Sequence, residues 1–453
     1  MTLTISQIIE LGVGAIADGV AKGELTPTDV AEAVLSRIAN MEERVQAWSF
    51  LDAQRLRAEA RSLTAEAAAG RLRGPLHGVP VGIKDEFHVQ GMPTGFRDLP
   101  TPVPEPEDAT PVARLKAAGA LIVGKTHMPV GGRMPPTRNP WNLEHTAGGS
   151  SSGSGAAVGA RMVPVALAEQ TVGSGLRPAA YCGVDALKPT YGRISRFGCY
   201  PFAWSLDHTS IIGLSMEDIA LVFSVIAGPD PRDPTTLPDP APPASLDSWG
   251  LRPPRIGIVR NFFPDRSQPV MREAVDEAAA RLRETGAEVR DALLPEMFGM
   301  AWPAHQIIFG VEGATFNAHR PAPANRPDGT AGVGDRRPAS LIPATYYLQA
   351  QRIRQLLYMK VLSNFRDVDA LLMPVAPAPA PKGLSSTGDA SLLGPWSLLG
   401  YPAITINGGL SAEGLPLGLQ FVAAPKQDYR LLQIGAWCER ALGRLPAPPL
   451  AKA

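Results

Sequence analysis

Two segments rich in small residues constrain this chain more than any other feature of its sequence. The first, residues 147–156, contains only Ala, Gly and Ser, and the second spans residues 163–183. A backbone with such small side chains can approach a ligand closely and can direct several N–H groups at one point. An anion or a developing oxyanion requires donors of this kind. The two segments therefore predict a site that binds a phosphate or an oxyanion.

The common nucleotide-binding patterns do not fit the first segment. No Gly-Lys-Ser/Thr follows it, and the Gly-x-Gly-x-x-Gly spacing is absent. The stretch Gly149-Ser-Ser-Ser-Gly153 does match the Gly-x-Ser-x-Gly nucleophile elbow of α/β-hydrolases, although a run so rich in Gly and Ser matches it easily. That alternative also needs an acid and a downstream histidine, for which His208, His305 and His319 are available.

The overall composition indicates a globular protein without a strongly charged partner. The chain of 453 residues is 45% hydrophobic, enough for a substantial core, and its 43 basic residues balance its 43 acidic ones. Binding nucleic acid or an anionic membrane requires a positive field, so neither partner is expected, although a basic patch offset by acidic residues elsewhere stays open. The three cysteines fit neither a disulfide framework nor a zinc site. Without a signal sequence or a long apolar run, a cytoplasmic location is expected.

The alternation of apolar strands with helices predicts a sheet that is covered on both faces. Two amphipathic helices are predicted between residues 5 and 39, the second starting at Thr26-Pro-Thr-Asp29. Short strands are predicted at residues 79–83, 120–124, 256–259, 288–290 and 370–373, and helices at 270–285 and 344–365. The expected fold is an α/β/α sandwich around a mixed sheet of about ten strands.

A single domain spanning residues 1–453 is expected. Its predicted parts are N-terminal helices at 5–70, a core at 75–225, an irregular connection at 227–254 and a C-terminal part at 255–445. Within the last part, residues 319–343 are rich in Pro, Gly, Asp and Arg and are longer than most loops, which indicates either disorder or a mobile wall of a pocket.

Lys84 is the most unusual basic residue of the chain. It ends the apolar stretch Gly78-Val-Pro-Val-Gly-Ile-Lys84, where its ammonium group would be strongly desolvated. Burial lowers the pKa of a lysine and can make it neutral at working pH, so that it can activate a serine. On its own, a lysine at a strand end is more often structural.

Several separated motifs together resemble the amidase signature family. They occur in the family's order and spacing, and the similarity covers nearly the whole chain, up to Leu415-Pro-Leu-Gly-Leu-Gln-Phe421. The motifs are Gly78-Val-Pro-Val-Gly-Ile-Lys-Asp85, Thr137-Arg-Asn-Pro-Trp-Asn142, Gly148-Gly-Ser-Ser151, Ala179-Ala-Tyr-Cys-Gly-Val184 and Lys188-Pro-Thr-Tyr-Gly-Arg193.

The resemblance implies a proton relay and an acyl-enzyme. Ser174 corresponds to the nucleophile, Ser150 to a bridging serine that follows a cis peptide bond, and Lys84 to the base. The backbone N–H groups of residues 171–174 correspond to the oxyanion donors, namely those of Thr171, Val172, Gly173 and Ser174. Together with Gln170 and Arg177, Gly149 is assigned to substrate binding. No metal or other cofactor is implied.

The chain departs from the family pattern around the nucleophile. Gln170 replaces an acidic residue, Val172 replaces a glycine, and the arginine is shifted by one position to Arg177. This variant resembles malonamidase-like enzymes, in which the arginine holds a substrate carboxylate, and amidase-signature urethanases, which cut carbamates. Arg177 is therefore interpreted either as a ligand of a substrate carboxylate or as the partner of an acid in the fold.

The segment 126–137 is shorter than in relatives by roughly eight residues, a comparison that rests on the family resemblance. This shortening predicts a wide pocket and favours carbamates and amides with bulky leaving groups. Apolar residues that are candidates for its lining, or else for plain core, are Met128, Met134, Phe202, Trp204, Phe309 and Trp396.

The resulting hypothesis is a hydrolase that cleaves the carbonyl–nitrogen bond of a small-molecule amide or carbamate, as a monomer or a homodimer. Three alternatives stay open. They are a small-acid amidase of the malonamidase type, the transamidation subunit of a tRNA-dependent amidotransferase, and a catalytically silent binding protein on the same scaffold.

Overall fold

The computed structural model describes residues 3–95, 103–246, 252–318 and 337–452. Its strands are β1 (Trp48–Leu51), β2 (Pro80–Lys84), β3 (Leu121–Thr126), β4 (Arg138–Asn139), β5 (Asn142–Thr146), β6 (Val165–Gln170), β7 (Asp185–Lys188), β8 (His208–Gly213), β9 (Arg255–Val259), β10 (Glu288–Ala292), β11 (Ala370–Pro374), β12 (Ala403–Leu410) and β13 (Pro416–Val422).

The α-helices are α1 (Ile5–Ile8), α2 (Val13–Ala21), α3 (Pro27–Val45), α4 (Ala53–Ala68), α5 (Thr110–Ala117), α6 (Ser152–Gly159), α7 (Leu176–Tyr181), α8 (Met216–Ile226), α9 (Pro269–Glu284), α10 (Ala301–Asn317), α11 (Ala344–Val361), α12 (Gly394–Leu399), α13 (Asp428–Leu442) and α14 (Pro449–Lys452). Short 3-10 helices lie at Pro264–Arg266, Glu296–Met300, Arg337–Leu341 and Leu362–Phe365.

Eleven strands form one mixed sheet in the order β1-β3-β2-β6-β8-β7-β12-β13-β11-β9-β10. Strands β3, β2 and β6 are parallel, and so are β11, β9 and β10, whereas the pairs between β6 and β11 are antiparallel. The predicted α/β/α sandwich with a mixed sheet is thus confirmed. All five strands predicted from the sequence are present, as β2, β3, β9, β10 and β11.

Two apolar clusters cover the two faces of the sheet. Along β3, Leu121 and Val123 belong to one cluster and Ile122 to the other. Successive side chains of a strand point to opposite faces, so the clusters lie on opposite sides. Helices α6, α7 and α10 pack into the first cluster, and α5, α8, α9 and α13 into the second.

The N-terminal helices differ in one respect from the prediction. Three helices, not two, lie between residues 5 and 45, because the first predicted helix is interrupted. Helix α1 ends at Ile8, and Gly12 is the extended N-cap residue of α2. The predicted start of α3 is confirmed: the Thr26 side chain accepts a hydrogen bond from the Asp29 N–H, and Pro27 follows as the first helical residue.

The two irregular segments are only partly described. Residues 227–246 are free of helix and strand, as predicted for the connection, and residues 247–251 lie outside the described part of the chain. Of the predicted mobile wall at 319–343, residues 319–336 also lie outside it. The remainder contains the 3-10 helix Arg337–Leu341.

The topology brings the small-residue segments to one edge of the sheet. Parallel strands β2 and β6 end together at this edge, β2 with Lys84 and β6 with Gln170. Ser150 lies just before α6, and Ser174 just before α7. Three distant parts of the sequence therefore meet at one place.

Candidate active site

The side chains of Lys84 and Ser150 are hydrogen-bonded to each other in the structure. The Lys84 side chain is fully buried, and its Nζ lies 2.9 Å from Ser150 Oγ and 3.3 Å from the backbone oxygen of Glu169. The Gly149–Ser150 peptide bond is cis, as the family resemblance implied. The end of strand β2 thus places the buried Nζ of Lys84 beside the hydroxyl of Ser150.

Ser174 lies on the backbone segment next to Ser150. The N–H of Ser151 donates to the carbonyl of Ser174 at 3.3 Å, which joins the two segments. Ser150 and Ser174 are both half-buried, in contrast to the fully buried Lys84. Both serines are therefore partly open to solvent, whereas the lysine is not.

Two carboxyl groups also face Lys84, and sequence reasoning missed both. Glu86 Oε1 lies 3.0 Å from Lys84 Nζ, and Glu169 Oε2 lies 3.3 Å from it. Both glutamates are buried. Strand β2 ends at Lys84, and a turn follows in which the N–H groups of Glu86 and Phe87 donate to the Lys84 carbonyl. This turn brings the Glu86 side chain back beside Lys84, whereas Asp85 pairs with Lys125 at 2.9 Å.

These carboxyl groups reverse the expected direction of the pKa shift of Lys84. Burial alone lowers the pKa of Lys84, but the charges of Glu86 and Glu169 outweigh burial, and the pKa is raised above its ordinary value. The prediction of a pKa lowered by desolvation is therefore wrong. Burial in turn raises the pKa of Glu86 to about 8, although Lys84 acts in the opposite direction.

The carbonyl groups of residues 171–174 are all held from the protein side. Their hydrogen-bond donors are His305 Nε2 to Thr171 at 3.0 Å, Ser397 Oγ to Val172 at 2.8 Å, the N–H of Arg177 to Gly173 at 3.1 Å and the N–H of Ser151 to Ser174 at 3.3 Å. Within the described ranges, the N–H groups of Val172, Gly173 and Ser174 have no protein acceptor. Val172 does not adopt a positive φ, so the loss of the family glycine costs no backbone strain.

Gln170 braces this loop. Its side chain is fully buried; Oε1 accepts the N–H groups of Gly175 at 3.0 Å and Leu176 at 2.9 Å, and Nε2 donates to Ser397 Oγ at 3.1 Å. The structure therefore gives Gln170 protein contacts at the start of α7, where substrate contact was predicted. The neutral amide can make all of these contacts because it both donates and accepts hydrogen bonds, whereas a carboxylate can only accept them.

Arg177 is a buried cation without an ion pair in the described part of the chain. It is 6% exposed, and its guanidinium donates to the backbone oxygens of Gly149 at 2.6 Å and Gly388 at 2.5 Å and to Thr387 Oγ1 at 3.0 Å. Burial lowers its pKa. The Arg177 Nε is buried and has no protein acceptor among the described residues. The expected pairing with an acid of the fold is therefore not found.

Gly149 contributes its backbone to this arrangement. A Cβ at this position would lie 2.6 Å from the Thr387 side chain, so only glycine permits the close approach. Its carbonyl oxygen accepts from Arg177, which ties the segment before Ser150 to residues 387–388.

The nucleophile-elbow alternative is not matched by the described residues. Ser151, the centre of the elbow pattern, has its hydroxyl bonded to the backbone oxygen of Glu169 at 3.3 Å. His208 Nδ1 lies 2.5 Å from the Leu206 oxygen, and His305 Nε2 contacts the Thr171 oxygen. His319 lies outside the described residues. Of the candidate histidines, His208 and His305 thus contact backbone carbonyls and not Ser151.

The predicted pocket-lining residues divide into two groups. Trp396 and Met128 are buried, and Trp396 stacks on Phe263 with ring centroids 6.3 Å apart, so both belong to the core. Phe202 is half-buried with its ring centroid 5.8 Å from Lys84 Nζ, and Trp204 is 42% exposed. Met134 and Phe309 are also half-buried.

Two further properties bear on the chemistry. No helix in the described ranges is long and apolar enough to cross a membrane. Nor do those ranges contain a group of three or more His, Cys, Asp or Glu side chains that could hold a metal ion.

An α/β/α sandwich in which a lysine is hydrogen-bonded to a serine that follows a cis peptide bond is the arrangement that the sequence resemblance implied; the sheet has eleven strands where about ten were expected. The family model described as Amidase matches residues 29–432, and the chain belongs to the amidase signature family.

Known relatives cover nearly the full length of the chain. A glutamyl-tRNA(Gln) amidotransferase subunit from Roseiflexus castenholzii is 37% identical, with 95% of this chain and 96% of the relative aligned. A solved structure of a vestigial protein complex, reported to reveal the evolutionary origins of an s-triazine catabolic enzyme, has a TM-score of 0.87 at 33% identity, with 96% of this chain and 100% of that one covered. The structure of 6-aminohexanoate cyclic dimer hydrolase complexed with substrate has a TM-score of 0.85 at 27% identity, covering 98% and 99%.

Proposed function

We propose that this protein is a serine hydrolase that cleaves the carbonyl–nitrogen bond of a small amide or carbamate through an acyl-enzyme on Ser174. The observation that carries the proposal is the hydrogen bond between the buried Lys84 side chain and Ser150, on a segment next to the half-buried Ser174. Family membership supports C–N bond chemistry, and the 6-aminohexanoate cyclic dimer hydrolase is a hydrolase on the same fold.

The relay works by consecutive proton transfers. As Ser174 Oγ attacks the carbonyl carbon, its proton passes to Ser150 Oγ, and the Ser150 proton passes to Lys84 Nζ. The proton returns to the nitrogen of the leaving amine when the C–N bond breaks, and water then cleaves the acyl-enzyme along the same path.

The backbone donors of residues 172–174 stabilise the tetrahedral intermediate. Their carbonyl groups are held on the protein side, which leaves the N–H groups for the substrate oxygen. The Thr171 N–H, which the family pattern also includes, completes the proposed set. Donors fixed in advance need no reorganisation as charge develops, and each is worth about 3–4 kcal/mol in comparable enzymes.

The substrate class is tested with a panel of amides, carbamates, ureas and esters. Carbamates and amides with aryl or alkyl leaving groups are expected to release amine, in keeping with the short 126–137 segment and the wide pocket that it predicts. Both classes present a carbonyl to Ser174. Cleavage restricted to small amides of free acids would contradict the carbamate preference and support the malonamidase-type alternative.

Arg177 carries a prediction about acidic substrates. Because its guanidinium is buried without a carboxylate partner in the described chain, Arg177→Lys is expected to raise KM for a substrate bearing a carboxylate about 10- to 100-fold and to change KM for a neutral analogue much less. Steady-state kinetics on the matched pair measures the difference.

The matched control is Arg37→Lys. Arg37 is another buried arginine, and its Nε donates to the backbone oxygen of Ala160 at 2.9 Å, away from the site. It should not discriminate between the two substrates. Equal KM changes for both substrates in Arg177→Lys would show that Arg177 only ties residues 387–388 to Gly149.

A second candidate function is the transamidation subunit of a tRNA-dependent amidotransferase. It is favoured by the name of the relative with 37% identity, and it would reverse the expectation of no nucleic-acid partner. Against it stands Gln170, where an acidic residue was expected in such a protein. The chain purified alone should turn over the panel; glutamine hydrolysis that requires added partner proteins and tRNA would favour the amidotransferase.

A further inference from the structure

A buried cluster of carboxyl groups surrounds the lysine of the relay. Glu86 and Glu169 contact Lys84 Nζ at 3.0 and 3.3 Å, and Asp207 lies one side chain further away. All three acids are buried. Carboxyl groups so far from water are costly unless they are paired or carry a proton, so this cluster requires an explanation.

The contacts of Lys84 Nζ fit an ammonium group. An ammonium has three N–H donors, and three side-chain oxygens lie around Nζ, those of Ser150 at 2.9 Å, Glu86 at 3.0 Å and Glu169 at 3.3 Å. When Ser150 Oγ accepts from Nζ, an ammonium group donates all three of these contacts. In that arrangement Lys84 takes the Ser150 proton only as one of its own protons moves to a carboxylate.

The contacts of a neighbouring hydroxyl favour a proton within the cluster. Thr171 Oγ1 lies 2.9 Å from Glu169 Oε1 and 2.8 Å from Asp207 Oδ1. A hydroxyl has one hydrogen and can donate to only one of the two oxygens. The second contact is a hydrogen bond only if that carboxyl is protonated and donates to the hydroxyl. Burial raises the pKa of Asp207 to about 8, which agrees with such a proton.

Glu86 is suited to accept a proton. Its two carboxylate oxygens are buried and, among the described residues, contact no hydrogen-bond donor other than Lys84 in an ion pair. The charged or titratable groups that act on it are Lys84, Glu169 and Asp207. The charge of Glu86 also acts on Cys199 and on the buried Lys125, and Arg196 acts on Asp207.

We infer that Lys84 conducts the proton of Ser174 and that the buried pair Glu86 and Glu169 stores it. The inference rests on the proposed function, because it extends the relay that activates Ser174. As the bond from Ser174 Oγ to the carbonyl carbon forms, the Ser174 proton moves to Ser150, the Ser150 proton to Lys84, and a Lys84 proton to Glu86 or Glu169. The reverse sequence protonates the leaving amine, so no other reactant is required.

The test measures how fast a fluorophosphonate labels Ser174 as a function of pH. This probe forms a bond from Ser174 Oγ to phosphorus with loss of fluoride, and mass spectrometry of the peptide locates the label. It therefore needs no knowledge of the substrate. The variants are Glu86→Gln, Glu169→Gln and the double variant, with Glu439→Gln as a matched control, since Glu439 is a buried acid that accepts the Met216 N–H and does not contact Lys84.

The plateau rate distinguishes the two roles of the lysine. Proton storage predicts that each single variant loses about tenfold and the double variant about 100-fold or more at the pH optimum, while Glu439→Gln keeps the wild-type rate. If Lys84 itself is the final base, removing the carboxylates lowers its pKa, and the variants label as fast as the wild type or faster at neutral pH. That result would overturn the inference.

A conservative variant separates proton storage from a structural role. Glu86→Asp keeps a carboxylate but leaves a gap, whereas Glu86→Gln keeps the shape and loses the acceptor. Storage predicts faster labelling of Glu86→Asp than of Glu86→Gln, and a structural role predicts the opposite order. If wild-type Ser174 is not labelled at all, the proposed function itself fails, and the inference fails with it. A labelled Ser174 with undiminished double-variant rates contradicts the inference alone.

Discussion

Replacing Ser174 with alanine is expected to reduce turnover by about 10⁴-fold or more, because the variant has no nucleophile to carry the acyl group. Residual turnover would come from the backbone donors and binding alone. The comparison uses any amide or carbamate that the wild type cleaves, with both proteins at the same concentration and thermal unfolding as a check of the fold. The side chain of Ser174 is half-buried, so the substitution leaves little cavity.

The matched control is Ser151→Ala. Ser151 is the centre of the elbow pattern, and its hydroxyl contacts only the Glu169 backbone among the described residues. This variant should keep turnover within about tenfold of the wild type, since a neutral hydrogen bond is worth only about 0.5–1.5 kcal/mol. Full turnover by Ser174→Ala, or a larger loss in Ser151→Ala, would contradict the assignment of the nucleophile. Wild-type turnover that Ser174→Ala abolishes would also exclude the catalytically silent binding scaffold.

Replacing Lys84 with methionine should affect stability as well as activity. The change leaves Glu86 and Glu169 buried without their cation, and removal of one partner from a buried ion pair costs about 3–5 kcal/mol. Turnover should fall by a factor comparable to that of Ser174→Ala. Lys125→Met is the matched control, since Lys125 is a second fully buried lysine, paired with Asp85, and should lower stability with a smaller loss of turnover.

The stability loss of Lys84→Met should depend on pH in a defined direction. Burial raises the folded-state pKa of Glu86 to about 8, and loss of Lys84 removes a charge that lowers it. The folded variant then binds more protons than the unfolded chain, so its stability is highest at low pH and falls as pH rises through the folded-state pKa. Urea unfolding below and above that pKa measures the difference. A Lys84→Met protein whose deficit is independent of pH would contradict the carboxyl cluster.

The alternation of strands and helices was sufficient to predict the sheet, whereas the placement of Lys84 beside Ser150 was predicted from the family resemblance. Lys84 follows a strand with no polar residue, and Ser150 lies in a segment of Ala, Gly and Ser, so both positions are unusual by themselves. The order of the eleven strands was not predictable, because it depends on which apolar faces pair. The antiparallel addition of β1 to the edge strand β3 has no signal in the local sequence.

The titration of Lys84 could not be derived because it depends on neighbours from distant parts of the chain. A weak signal did exist, since Glu169 follows four apolar residues in the buried strand Val165–Gln170, and a charged residue in a buried strand requires a partner. Glu86 lies two residues after Lys84, in the turn that follows β2. A search for acids at the ends of buried strands would have found both carboxyl groups.

Arg177 shows a second limit of sequence reasoning. Its neighbours at residues 387–388 are more than two hundred positions away, and two of its three hydrogen bonds go to backbone oxygens, which no side-chain pattern reveals. The role of Gln170 was also predicted incorrectly from the sequence, as a substrate contact. Its buried contacts with the start of α7 depend on the fold of the loop and not on the residue type.

The most direct test of the central claim is to trap the covalent intermediate. The protein is mixed with a carbamate or anilide that it cleaves, quenched with acid during turnover, and digested for mass spectrometry. The account predicts that the peptide containing Ser174 gains the mass of the acyl or alkoxycarbonyl fragment, that amine is released in the same burst, and that Ser174→Ala gains nothing. Turnover with no adduct on Ser174, or with an adduct on another residue, would contradict it.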